Sequence, residues 1–228
     1  MVTKITLVRH AQSTGNAKEC FTGQTDVDLS ELGHKQAELT AQALADEQFT
    51  AIYSSDLKRA YLTAKFIAKF HKLDITTTPD LREINLGIFQ GKSFIEVEKE
   101  YPEEFTAISR RDLNVVIPNG ESHGMLRDRV IKAFNKIISN HIGGNILLVV
   151  HGGVIFHINH YILGIAPTET FRLSYKISNC SISCYEMIEK ERWRLVSFNE
   201  TAHLNELKQA RSVNSQFLTT SEKIFGCS

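Results

Sequence analysis

The run Ile146-Leu-Leu-Val-Val150 is the most apolar stretch of the chain, and it stops abruptly at His151-Gly152-Gly153. Five apolar residues without a polar interruption predict a strand covered on both faces, and such strands sit in the middle of parallel sheets. A second run, Lys4-Ile-Thr-Leu-Val8, ends the same way, in Arg9-His10. A parallel sheet needs helical crossovers between its strands, so these two runs already ask for an alternation of strand and helix.

The rest of the chain supplies that alternation. Ser30 is placed to cap a helix reaching about Asp46, with Leu32, Leu39, Ala43 and Leu44 at roughly helical spacing. Thr50–Tyr53 reads as a strand. Asp56 to about Phe70 reads as a helix with Leu57, Ala60, Ala64, Ile67 and Ala68 on one face, and Leu73–Thr77 as a β-branched strand. Residues 79–121 are less regular, with one helix over Ser93–Glu100 and a break at Pro102. Ser122 caps a helix to about Asn140, and Gly152-Gly153 opens another that ends near Leu163. Ser181–Glu186 and Trp193–Phe198 are closing strands too near each other for a helical crossover, so at least one runs antiparallel to its neighbour. The expected fold is an α/β class, three-layer α/β/α sandwich with a mostly parallel central sheet and an antiparallel edge strand. One domain is expected over 1–204, followed by a polar tail over 205–228.

Charge and cysteine content narrow the function. Lys plus Arg and Asp plus Glu are both 26 in 228 residues, and this balance argues against a dedicated nucleic-acid binder. No apolar run approaches the ~20 residues that span a bilayer. Met1–Val8 is too short and too polar for a secretory signal. The cysteines are Cys20, Cys180, Cys184 and Cys227. Cys180 and Cys184 fall in what reads as one strand, where four residues span ~13 Å, too far for a disulfide. A reduced, cytoplasmic setting is the expectation.

In open α/β sheets, ligands bind at the carboxyl ends of the strands. His10 and His151 stand at two such ends and can meet across one pocket. A lone histidine there is more simply a polar residue leaving the sheet, but two, one of them beside Arg9, argue for a site. Arg59 falls in the first turn of a helix after a third strand, near the positive end of its dipole, and Arg suits bidentate phosphate contacts. The Gly152-Gly153 helix start offers free backbone N–H groups to an anion. Together these features describe a phosphate pocket.

The same residues carry a family resemblance. Arg9-His10-Ala11 with Ser13 and Asn16, then Gly23, Asp26 and Leu29-Ser30-Glu31-Leu32-Gly33, resembles the histidine phosphatase superfamily, the phosphoglycerate-mutase-like enzymes. Ser54-Ser-Asp-Leu-Lys-Arg59-Ala60 with Thr63-Ala64 matches a second block, and Leu81-Arg82-Glu83-Ile84-Asn85-Leu86-Gly87 with Gln90-Gly91 a third. Gly120-Glu121-Ser122, His151-Gly152-Gly153 and Asn199–Leu204 follow in order. The likeness covers about residues 4–204.

That resemblance implies a phosphomonoesterase in which His10 becomes phosphohistidine and Arg9, Arg59 and His151 clamp the phosphoryl group. It implies Glu83 as proton donor, and Asn16, Gly23, Gln24 and Gly152 as further substrate-binding positions. It implies no metal and no cofactor. The implied partner is a small-molecule phosphate ester, rather than a nucleic acid or a membrane, with a homodimer left open. The chemistry agrees: phosphoryl transfer needs positioning and charge stabilisation, and a neutral imidazole is nucleophilic near neutral pH. The plain alternative for Glu83 is a surface salt bridge with Arg82. Two rival readings are a phosphoglycerate mutase and a non-catalytic phosphate-binding module. Mutases of the family carry Glu-Arg-x-Tyr-Gly where this chain has Glu83-Ile84-Asn85-Leu86-Gly87, which favours water as the acceptor. Gln24 replaces a frequent Trp, and Ala11 a usual Gly. His157 and His160 have the spacing of a zinc pair but lack a matching third ligand. Arg110-Arg111 could reach an anionic substrate but reads more simply as a solvated charge pair, and His34, His71, His123, His141 and His203 read as surface or packing residues.

Overall fold

The computed structural model describes residues 1–166 and 175–207. Strand β1 (Thr3–Arg9) is followed by the single helical turn α1 (Thr14–Ala17) and by α2 (Glu31–Ala43). Next come β2 (Ala51–Ser55), α3 (Lys58–Ala68) and β3 (Ile75–Thr78), then the 3-10 turns Pro79–Leu81 and Gly87–Phe89. Two short helices follow, α4 (Phe94–Glu100) and α5 (Pro102–Ser109), and then the long α6 (His123–Asn140). β4 (Asn145–Val150), α7 (Gly152–Ile162), β5 (Ile182–Glu189) and β6 (Arg192–Glu200) complete the order.

Among the described residues these strands form one sheet in the order β3-β2-β4-β1-β5-β6. β3, β2, β4 and β1 are mutually parallel, while β5 runs antiparallel to β1 and β6 antiparallel to β5. β4 lies between β2 and β1, and its residues from Ile146 to Val150 are completely buried, as an unbroken apolar run requires.

The pleat sends alternate side chains into two cores. Ile5, Leu7, Ile146, Leu148 and Val150 pack on one face, against Leu126, Val130 and Phe134 of α6 and Val154, Ile155 and Ile158 of α7. Val8, Leu147, Val149 and Ile52 pack on the other, against Ala41 of α2 and Ala64 and Ile67 of α3. This is the three-layer sandwich, and it places the exits of β1 and β4 side by side.

The helix starts follow their caps. Ser30 Oγ accepts from Gly33 N at 3.0 Å, and Ser122 Oγ from Met125 N at 3.2 Å. The reading of Pro102 as a simple break needs correction, because Pro102 opens α5. The first helical position has no intrahelical use for an N–H, so proline is tolerated there. Tyr101 closes α4 and precedes α5, turning the chain sharply between them. Most of the tail expected over 205–228 lies outside the described residues, as does Cys227. Among the described residues, no helix is long and apolar enough to cross a membrane.

Candidate active site

The site begins where β1 runs out. His10 N still donates to the Val150 carbonyl at 2.8 Å, so the sheet ladder carries His10 one step beyond Arg9 and sets it over the end of β4. His10 is buried, and its Nδ1 lies 2.7 Å from the Ala11 carbonyl. A carbonyl only accepts, so Nδ1 bears the proton and the lone pair stays on Nε2. His151 follows β4 and precedes the first turn of α7, with its ring centroid 5.1 Å from that of His10. The two strand-end histidines do meet. The His151 ring is fully buried against His10 rather than lining the cleft.

Two guanidinium groups flank this pair. Arg59, in the first turn of α3 and 1% exposed, donates to the Thr25 carbonyl at 2.9 Å and the Gly23 carbonyl at 2.6 Å. Arg9 donates through one terminal nitrogen to the Ile177 carbonyl. Its Nε, together with both ring nitrogens of His151, is buried without a hydrogen-bond partner. An unpaired buried polar atom costs on the order of 1–3 kcal/mol, so the Nε–H of Arg9, which lines the cleft, suits an anionic ligand.

The electrostatics keep both imidazoles neutral. Burial first, then the charges of Arg59 and Arg9, hold His10 well below the ordinary histidine range. Burial first, then Arg59, His10 and Arg9, do the same to His151. Desolvation brings Arg59 down to about 10, which leaves it charged at neutral pH.

Glu83 enters from the segment between the two 3-10 turns. Its Oε2 accepts from Gly153 N at 3.0 Å and its Oε1 from Ile84 N at 2.9 Å. One of the helix-start N–H groups expected for a phosphate is thus taken by the protein's own carboxylate. Arg82 turns the other way, into a bidentate pair with Asp56 at 2.6 and 2.7 Å, so Glu83 is not its salt-bridge partner. A Cβ built on Gly152 would stand 3.7 Å from Arg9 Nε and 4.0 Å from Glu83 Oε2. Clamp and carboxylate therefore converge on one point at the start of α7.

Arg9, His10, Asn16, Gly23, Arg59, Glu83 and Gly152 line a single cleft of about 160 Å³. Asn16 Oδ1 already accepts from Ser13 N, Ser13 Oγ and Asn179 Nδ2, which leaves its NH₂ to offer. Gln24 does not line the cleft. Its Nε2 donates to the Glu83 carbonyl at 3.0 Å, making it a strut behind the carboxylate.

Several residues at the site had a plainer reading in the sequence or none. Asn179 Nδ2 donates to the His10 carbonyl at 2.9 Å from the loop before β5. Arg111 and His123, read as a solvated charge and a surface or packing residue, both line the cleft. Arg111, at a positive φ of 54°, lies 4.2 Å over the Phe156 ring. His123 is buried, with Nδ1 3.2 Å from His157 Nε2. His160 Nδ1 lies 2.9 Å from both the Phe156 carbonyl and Tyr175 Oη. Among the described residues, no three His, Cys, Asp or Glu side chains converge as a metal-holding set.

Comparison with known proteins converges on one family. The histidine phosphatase superfamily, branch 1, matches residues 5–201. Phosphoglycerate mutase-like protein 4 of Arabidopsis thaliana is 37% identical over 206 residues, spanning 89% of this chain and 87% of the relative. A metal-independent phosphoserine phosphatase of Arabidopsis thaliana is 36% identical over 207 residues, 90% of this chain and 84% of the relative. Among solved structures, a mycobacterial glucosyl-3-phosphoglycerate phosphatase superposes with a TM-score of 0.79 at 27% identity, over 88% of this chain and 100% of that one.

Proposed function

Because the chain belongs to the histidine phosphatase superfamily and is a phosphatase, we propose that it hydrolyses a small phosphate monoester through a phosphohistidine on His10. The His10 Nε2 lone pair attacks phosphorus, and the bond to the ester oxygen breaks. Glu83, in its acid form, gives that oxygen its proton. The Glu83 carboxylate then takes a proton from water as the oxygen of that water attacks phosphorus. The P–N bond breaks, its electron pair returns to Nε2, and inorganic phosphate leaves. Arg9 and Arg59 spread the charge of the three equatorial oxygens, and preorganised donors of this kind supply much of the stabilisation in such reactions. The Asn16 amide completes the cradle, and His151 packs its ring against that of His10.

The observation that carries this reading is the meeting of the Glu83 carboxylate and the Arg9 guanidinium at Gly152, beside the paired rings of His10 and His151. A module that only held phosphate would have no use for the carboxylate.

The test is the leaving group. Glu83→Gln should cost an alkyl phosphate about 10²–10⁴-fold in kcat/KM, and an aryl phosphate far less, because a good leaving group needs little protonation. Equal losses on glycerol 2-phosphate and p-nitrophenyl phosphate would remove Glu83 from the acid role.

The cleft wall supports a substrate with a second negative group. Arg111 lines the same cavity as the phosphate clamp, and phosphoserine and glucosyl-3-phosphoglycerate, named for the relatives, both carry a carboxylate. Arg111→Ala should then raise KM for such esters while leaving KM for p-nitrophenyl phosphate within about twofold, since only uniform binding to the carboxylate is lost. Cys180 lies in the turn before β5 rather than on one strand with Cys184, but both, with Cys20, are free thiols, which supports a cytoplasmic setting.

A further inference from the structure

Glu83 must stand within about 0.5 Å of a productive position if it is to hand over a proton. Yet it sits between two 3-10 turns, on a stretch with neither a helix nor a strand to hold it. What grips that stretch comes from 46 residues further along the chain. Arg129, on α6, fans one terminal nitrogen over the carbonyls of Pro79, Asp80 and Arg82 at 3.4, 2.9 and 3.1 Å. Its other terminal nitrogen donates to the Glu83 carbonyl at 3.4 Å and to Glu121 Oε1 at 2.7 Å. The same Glu121 oxygen accepts from Asn85 N at 2.8 Å, so the ion pair brackets Glu83 from both sides in sequence.

A second hand holds the same carbonyl. Gln24 Nε2 donates to the Glu83 oxygen at 3.0 Å, and the Gln24 backbone N–H is fixed by Gln90 Oε1 at 2.6 Å. Gly23 and Thr25, on either side of Gln24, are the residues whose carbonyls hold Arg59. The peptide bearing the carboxylate is thus tied to the α6 helix on one side and to the phosphate clamp on the other. Such a planar fork of donors is something only arginine offers; lysine brings a compact point charge.

We infer that Arg129 is a positioning residue for the proton donor: through the Glu83 carbonyl and Glu121 it sets where the Glu83 carboxyl stands relative to the ester oxygen, with Gln24 as the opposing anchor. Arg129 touches no substrate in this account. The inference rests on Glu83 being the acid, and the experiment separates the two.

The experiment measures kcat/KM on glycerol 2-phosphate and on p-nitrophenyl phosphate for Arg129→Met, Arg129→Lys, Glu83→Gln and the Arg129→Met/Glu83→Gln double variant. A positioning role predicts that Arg129→Met loses about tenfold or more beyond its aryl loss on the alkyl ester, because misplacing a general acid forfeits part of its contribution. Arg129→Lys should recover part of that loss. In the Glu83→Gln background, Arg129→Met should add no further alkyl-specific loss. Equal losses on both esters for Arg129→Met, or losses that multiply in the double variant, overturn the positioning role while Glu83→Gln alone still discriminates between the esters. If Glu83→Gln itself fails to discriminate, both readings fall. Should Arg129→Met not fold, as judged by circular dichroism, Gln24→Leu is held to the same criteria.

Discussion

At the scale of single residues, the site is a set of imidazoles kept neutral by burial and by arginines, and that has a cost in acid. His10, His123 and His151 are held well below the ordinary histidine range, and His157 is pushed down to about 3, in each case chiefly by desolvation. Such groups bind fewer protons folded than unfolded, so stability rises with pH between the folded value and the unfolded value near 6.5. As pH falls below about 6.5, each of them removes up to about 1.4 kcal/mol per pH unit. The urea midpoint should therefore be clearly lower at pH 5 than at pH 7 in phosphate-free buffer, and His157→Phe should flatten the slope. A midpoint unchanged between the two pH values would contradict the burial account. Arg9, His10, Arg59 and His151 were legible because each follows an apolar run or opens a helix, and the sheet geometry collects such ends. Asn179, His123 and Arg129 were not, because each reaches the site from an element whose own sequence pattern points only to packing or to solvent, and Arg111 was legible only as the second choice beside a solvated charge pair.

At the scale of elements, the start of α7 decides how close clamp and acid can come. Gly153 is there because a Cβ would lie 2.3 Å from Glu83 Oε1 and 3.2 Å from the Leu126 side chain. Gly153→Ala adds a residue that favours a helix by about 1 kcal/mol over glycine, so α7 itself should tolerate it. The carboxylate cannot stay where it is, and the Gly153 N–H to Glu83 Oε2 bond must stretch or break. The expected result is a folded protein with kcat/KM on glycerol 2-phosphate down by about tenfold or more and a smaller loss on p-nitrophenyl phosphate. Equal losses would mean that the glycine serves only substrate access. The helix starts themselves were readable from their capping serines, Ser30, Ser93 and Ser122. The two short helices over 94–109 were only half readable, because a proline that opens a helix looks in sequence like one that ends it.

At the scale of the whole molecule, the question is where the phosphoryl group goes. Ile84 and Leu86 are buried apolar residues in the cleft wall, at the positions where a mutase of this family would present Arg and Tyr. A mutase has to retain its intermediate and keep water from the phosphohistidine, which requires polar grip on that intermediate. An apolar wall gives none, so phosphate release from 3-phosphoglycerate should outpace formation of 2-phosphoglycerate in a coupled assay. Isomerisation about a hundredfold faster than release would favour transfer back to substrate, a ratio worth about 2.7 kcal/mol between the two acceptors. Both acceptors share one intermediate, and on it the account stands. Rapid acid-free quenching of the enzyme with a ³²P-labelled ester, followed by peptide mapping, should find phosphate on the peptide containing His10, bound through nitrogen and released by acid but not by base. His10→Ala should show none of it. Label trapped at wild-type level in His10→Ala, or label on a serine, a carboxylate or no residue at all while turnover continues, would contradict the mechanism.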